Sequence, residues 1–125
     1  MVHGQTKDVS WLNEVEEHDY PAAESYLQLL YADDDARSLV QKLRHTGLTQ
    51  FKAKDVFRAS QLSLLGVSNS HVAKDSKKIN AGVQLSPLLL VRDGANGRVI
   101  VADGYHRLCA VYMKDEDALV PCKIV

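Results

Sequence analysis

Only two cysteines occur among the 125 residues, Cys109 and Cys122, and they have no Cys-x-x-Cys spacing. A zinc ribbon is excluded, a disulfide scaffold is disfavoured, and reduced thiols are expected. No apolar run approaches the roughly 18–20 residues needed to cross a bilayer. The opening MVHGQTKD also lacks the basic-then-apolar pattern of a secretory signal. These absences lead to the expectation of a cytoplasmic protein with no membrane partner. The five histidines are scattered and no His/Asp/Glu cluster has metal-ligand spacing, so no metal site is expected. Aromatic residues make up 6% of the chain and the net charge is −1, neither of which suits a protein built to lie along nucleic acid. Internal repeats and low-complexity tracts are absent.

What is present suits one globular core: 46% hydrophobic residues, 25% charged residues and a length near the modal domain size. The small net charge hides an asymmetry. Residues 1–50 hold 4 Lys/Arg against 9 Asp/Glu, net −5, and residues 51–125 hold 11 against 7, net +4. The basic half is suited to attract phosphates, although ordinary solvated faces produce the same counts.

Residues 1 to about 18 are polar apart from Trp11, Leu12 and Val15 and read as an arm docked by Trp11. PAAESYLQLLY from Pro21 predicts a helix with Tyr26, Leu27, Leu29 and Leu30 on its apolar side and Asp19 in the cap region. Asp33–Asp35 read as an acidic stop, after which ARSLVQKLRH predicts a second helix ending near Gly47. Gln50–Ala53 alternates like a short strand and leads into a helical turn. SNSHVAKDSKKINAG has Ser/Asn caps, late lysines and a Gly82 stop, the punctuation of a helix. The last third predicts strand 86–92, turn DGANGR, strand VIVA, helix DGYHRLCAVYMK and closing strand ALVPCKIV. The expected class is α+β, a small mixed sheet flanked by helices, with Leu88, Leu90, Val99, Val101, Leu108, Val111 and Ile124 in the core.

The segment DGYHR poses a problem in electrostatics. A helix start already carries unpaired N–H groups and about half a positive charge, yet His106 and Arg107 add two groups able to be cationic. Gly104 has no Cβ to obstruct the backbone, so the turn forms an anion seat, although glycine also occurs at such turns for steric reasons alone.

LSPLLLVRDGANGRVIVADGYHRLCAVY followed by a last strand resembles the ParB/sulfiredoxin superfamily. In ParB-type domains the helix-opening motif is Gly-Glu-Arg-Arg-x-Arg-Ala, matched by Gly104, Arg107 and Ala110. In sulfiredoxins it is Gly-Cys-His-Arg, matched by Gly104, His106 and Arg107, with Tyr105 in place of the catalytic cysteine. An Asp-Gly-x-His-Arg variant of the superfamily fits best. The resemblance spans about residues 50–125. It divides the chain into an N-terminal arm and helical extension, residues 1–48, and a ParB/sulfiredoxin-like domain, residues 49–125, in one compact unit.

The resemblance implies a nucleotide (ATP, ADP or CTP, with Mg2+) or another phosphate-bearing small molecule at the DGYHR helix start. The ligand residues would be Gly104, Tyr105, His106 and Arg107, with Asn69, Ser70 and His71 from the preceding helix start and Asp103 and His106 as catalytic candidates. Any reaction would be phosphotransferase-, ATPase- or nuclease-like and not that of a sulfiredoxin. Fold alone does not choose among these.

Each residue also has a plainer reading. Arg107 binds phosphate or pairs with an acidic neighbour; His106 serves the ligand or packs; Asp103 orients a ligand or caps the helix. Asn69 and Ser70 are ordinary caps, Tyr105 is a half-buried core tyrosine and Cys109 a small buried residue. Lys52, Lys54, Arg58, Lys74, Lys77 and Lys78 supply cations to a ligand or form solvated faces. DNA binding or cleavage and a protein-interaction module remain the alternative functions. On charge alone, Arg107→Ala is expected to weaken ligand binding and leave the free protein as stable as before or slightly more so.

Overall fold

The computed structural model describes residues 8–125. Among these residues five α-helices, α1 (Asp19–Leu27), α2 (Asp33–His45), α3 (Ala53–Ser60), α4 (Ser70–Asn80) and α5 (Tyr105–Lys114), surround a sheet. Its strands are β1 (Thr49–Lys52), β2 (Leu88–Asp93), β3 (Arg98–Asp103) and β4 (Leu119–Ile124), in the order β1-β4-β2-β3. β2 and β3 form an antiparallel hairpin, β2 and β4 run parallel, and β1 closes the other side antiparallel to β4. The fold is α+β, and no helix among the described residues is long and apolar enough to cross a membrane.

Alternation on β2 shows why the sheet needs cover on both faces. Leu88 and Leu90 join Val101, Leu108, Val111 and Val120 in a core under α3, α4 and α5. Leu89 and Val91 point the other way, where Ile100 and Ala102 from β3 join Ala23, Leu27, Val40 and Leu43 of α1 and α2. A strand buried on both faces reads as the continuous apolar run LLLV. Of the seven expected core residues, five are buried, and Val99 and Ile124 are partly buried against the same cluster.

Several local expectations change. In the first helix only Leu27 of the four expected apolar residues is buried, and Leu29 is 80% exposed. The helix turns Tyr20, Ala23 and Leu27 inward at i, i+3, i+7 spacing and ends before Leu29. Asp33–Asp35 are not a stop but the first turn of α2, where carboxylates meet the positive helix end. The helical turn after β1 extends to the eight-residue α3, whose Val56 is buried. The stretch before α1 is tied down from Val9 onward. Trp11 bridges Leu85, the Leu12 N–H donates to the Leu85 carbonyl at 2.8 Å, and Val15 is buried. Residues 1–7 of the expected arm lie outside the described residues.

Because α1 and α2 cover Leu89, Val91, Ile100 and Ala102, removing them exposes a whole apolar face of the sheet. A chain starting at residue 49 is therefore expected to show no cooperative melting transition, whereas the full chain melts cooperatively. Calorimetry of the two checks it, and a cooperative transition in the shorter chain would contradict the layer assignment.

Candidate functional site

The residues of DGYHR lie where β3 ends beside the start of β2, and a register shift between Leu89 and Leu90 marks the place. Gly104 turns the chain from β3 into α5 with φ +107°. An added Cβ would stand 2.9 Å from the Leu88 Cγ and 2.9 Å from the Arg107 Nη2, so both conformation and space require glycine. No side chain caps α5, which leaves the first-turn N–H groups of Tyr105, His106 and Arg107 without a side-chain acceptor.

α4 lies alongside α5 and points the same way. The His71 and His106 rings at the two N-terminal ends are 4.8 Å apart, and near the other ends Lys114 donates to the Asn80 Oδ1 at 2.8 Å. Two positive helix ends therefore sit side by side. They open onto a cavity of about 350 Å3, within the range typical of small-molecule sites. Asp103, Gly104, Tyr105, His106 and Arg107 line it from the β3–α5 turn, and His71, Lys74, Asp75 and Lys78 line it from α4, with His18 at the edge. His71, Lys74 and Lys78 stand at i, i+3, i+7 on one helix face, and neither lysine forms an ion pair with a described residue.

Arg107 lines the cavity, but its guanidinium is committed to the protein. Its Nη2 donates to the Asp103 Oδ2 at 3.1 Å, to the Asp19 Oδ2 at 3.3 Å and to the Pro87 carbonyl at 3.3 Å. Its buried Nε has no hydrogen-bond partner among the described residues. Asp19 is buried, accepts from the Ser86 hydroxyl at 2.6 Å and has the His18 Nε2 3.3 Å from its other oxygen. Neither aspartate is the helix cap the sequence suggested. Asp19 and Asp103 both turn their carboxylates to the guanidinium, and α1 and α5 have no side-chain cap. The Asp103 carboxyl is pushed up to about 6, chiefly by burial, with Arg107 pulling against the rise and the Asp19 charge adding to it.

The remaining candidates divide. Asn69 caps α4, accepting from the His71 and Val72 N–H groups at 2.9 and 3.2 Å, and neither it nor the exposed Ser70 lines the cavity. The Tyr105 hydroxyl donates to the Ser63 carbonyl, and burial, then Cys109, raises its pKa. Cys109 is fully buried in the core. Lys52 and Lys54 meet Asp117, and Arg58 meets Asp55. Sequence reasoning missed His18, Asp19, Asp75 and Ser86. The spacing of His71, Lys74 and Lys78 was the one signal that could have singled out the lysines.

The chain matches no family model, no curated protein and no solved structure.

Two outcomes follow from the ion pairs. Arg107→Ala would leave the buried Asp19 and the half-buried Asp103 carboxylates without their cation, so the expected stability change has the opposite sign to the one charge at a helix start suggests. The loss should be on the order of 3–5 kcal/mol in chemical denaturation. An unchanged denaturation midpoint would refute the structural role. The second outcome concerns pH. Asp103 in the folded state holds its proton up to about pH 6, above the ordinary carboxylate value of 3.8. Between those values the folded state binds more protons than the unfolded, so this group's contribution is present at low pH and is lost as pH rises through about 6. Comparing Asp103→Asn with the unaltered chain over that interval should show a shallower decline in the variant, and identical slopes would contradict the assignment.

Proposed function

We propose that this chain is a binding domain for a phosphate-bearing small molecule, related to the ParB/sulfiredoxin type, with the phosphate at the start of α5. The observation that carries the reading is the uncapped α5 N-terminus beside the parallel α4, opening into a cavity whose α4 wall presents Lys74 and Lys78 without ion-pair partners among the described residues. Two lysines one turn apart repel each other, as do two adjacent positive helix ends, and an anion relieves both.

Within this reading the α5 N–H groups, His71, His106 and the lysines meet the anion. Arg107 contributes a charge already shared by two carboxylates, so its main part is to hold Asp103 and the α5 turn in place. Lys74 and Lys78, with Asp75 between them on the same wall, offer cations for the phosphates of ATP, ADP or CTP. With Tyr105 at the sulfiredoxin cysteine position and Cys109 buried, the reading includes no attacking thiolate.

Thermal-shift and calorimetric titrations with inorganic phosphate, ATP, ADP and CTP test the class. A ligand at 100 times its dissociation constant should add about 2.7 kcal/mol of stability. Lys74→Gln/Lys78→Gln, at positions outside the core, should lower affinity about tenfold without lowering the free protein's melting temperature. Absence of any phosphate-dependent shift overturns the reading, and steeply salt-dependent DNA binding would replace it with the nucleic-acid alternative.

A further inference from the structure

A second cavity, about 280 Å3, lies on the α3 side of the sheet. Its walls are Val56 from α3, Leu90, Val99 and Ile124 from three adjacent strands, and Phe51 from β1. On β2 the inward row Leu88, Leu90 continues to Arg92, which stands exposed at the mouth. Five of the six arginines are in ion pairs with Asp or Glu, whereas Arg92 forms none with a described residue. The end of the chain comes close without changing this. The Val125 backbone oxygen accepts from the Arg92 backbone N–H at 2.7 Å, and the guanidinium has no ion-pair partner among the described residues.

An unpaired planar cation beside an apolar cavity is the recognition chemistry of a molecule with an apolar body and one flat anionic end. The only other charged group of the lining is Asp55, whose carboxylate lies 3.9 Å from the Arg58 Nη2. A doubly charged phosphate would face a single cation here and the Asp55 carboxylate as well, so a singly charged carboxylate is the better match. We propose that this cavity binds an amphipathic carboxylate, its chain against Val56, Leu90, Val99 and Ile124 and its carboxylate on Arg92. This site is separate from the phosphate cavity and stands or falls independently of it.

Octanoate serves as the probe and 1-octanol as its uncharged counterpart, with binding followed by calorimetry and by methyl NMR shifts of Val99 and Ile124. The unaltered chain should bind octanoate more tightly than octanol, with shifts at those methyls. Arg92→Met, an exposed and unpaired position, should weaken octanoate about tenfold and leave octanol unchanged. Ala59→Phe, which fills the cavity from α3, should remove both; if that variant does not fold, the Arg92→Met comparison decides alone. Equal octanoate affinity in the unaltered chain and Arg92→Met, or no octanoate binding, overturns the proposal.

Discussion

The Arg107 guanidinium, resting on Asp19 and Asp103 beside the Pro87 carbonyl, joins segments far apart in the chain. Asp19 opens α1 on one face of the sheet, Arg107 belongs to α5 on the other, and Pro87 immediately precedes β2. A half-buried cation shared by two carboxylates adds little net stability compared with an apolar contact of the same size, because desolvation offsets most of the attraction. Its geometric effect is larger. Losing any one partner leaves an uncompensated charge, so the two helical layers are fixed against each other at the end of the sheet where the cavity opens.

That dependence explains why the cation in DGYHR serves a different purpose from the one its position suggests. At the sequence level, a cation in the first turn of a helix calls for an anion, and the nearest candidate is a ligand. The anions are in fact supplied by the protein from below, and the space above is bounded by backbone N–H groups and by lysines of a neighbouring helix. Gly104 has a similar double character. Its missing Cβ leaves the turn open toward the cavity, and it also leaves room for Leu88 and the Arg107 guanidinium.

Local pattern made much of this legible. The order of elements after residue 86, the α+β class and the inward residues of the last helix follow from alternation and from helical spacing around Leu108 and Val111. What was not legible depends on distant partners. Asp19 looks like a cap because Asp before an apolar helix usually is one; only the approach of Ser86 and Arg107, 67 and 88 residues away, makes it a buried counter-ion. Leu29 and Leu30 belong to an apolar run, yet α1 ends at Leu27 and leaves them on the surface. Of the expected site residues, Gly104, Tyr105, His106, Arg107, Asp103 and His71 share the cavity, whereas Asn69 is used in holding the α4 start.

The place of β4 in the sheet has a consequence for how the molecule comes into being. β4 is the last strand in the chain but lies between β1 and β2 in space, so β1 has no neighbour to pair with until residues 119–124 are available. During synthesis, the early helices and the β2–β3 hairpin emerge before the strand that unites them. Until residues 119–124 emerge, the edge of β2 that β4 occupies, Leu88–Leu90, keeps its outward backbone groups unpaired, and an open strand edge is a template for pairing with another chain, so self-association is favoured in that interval.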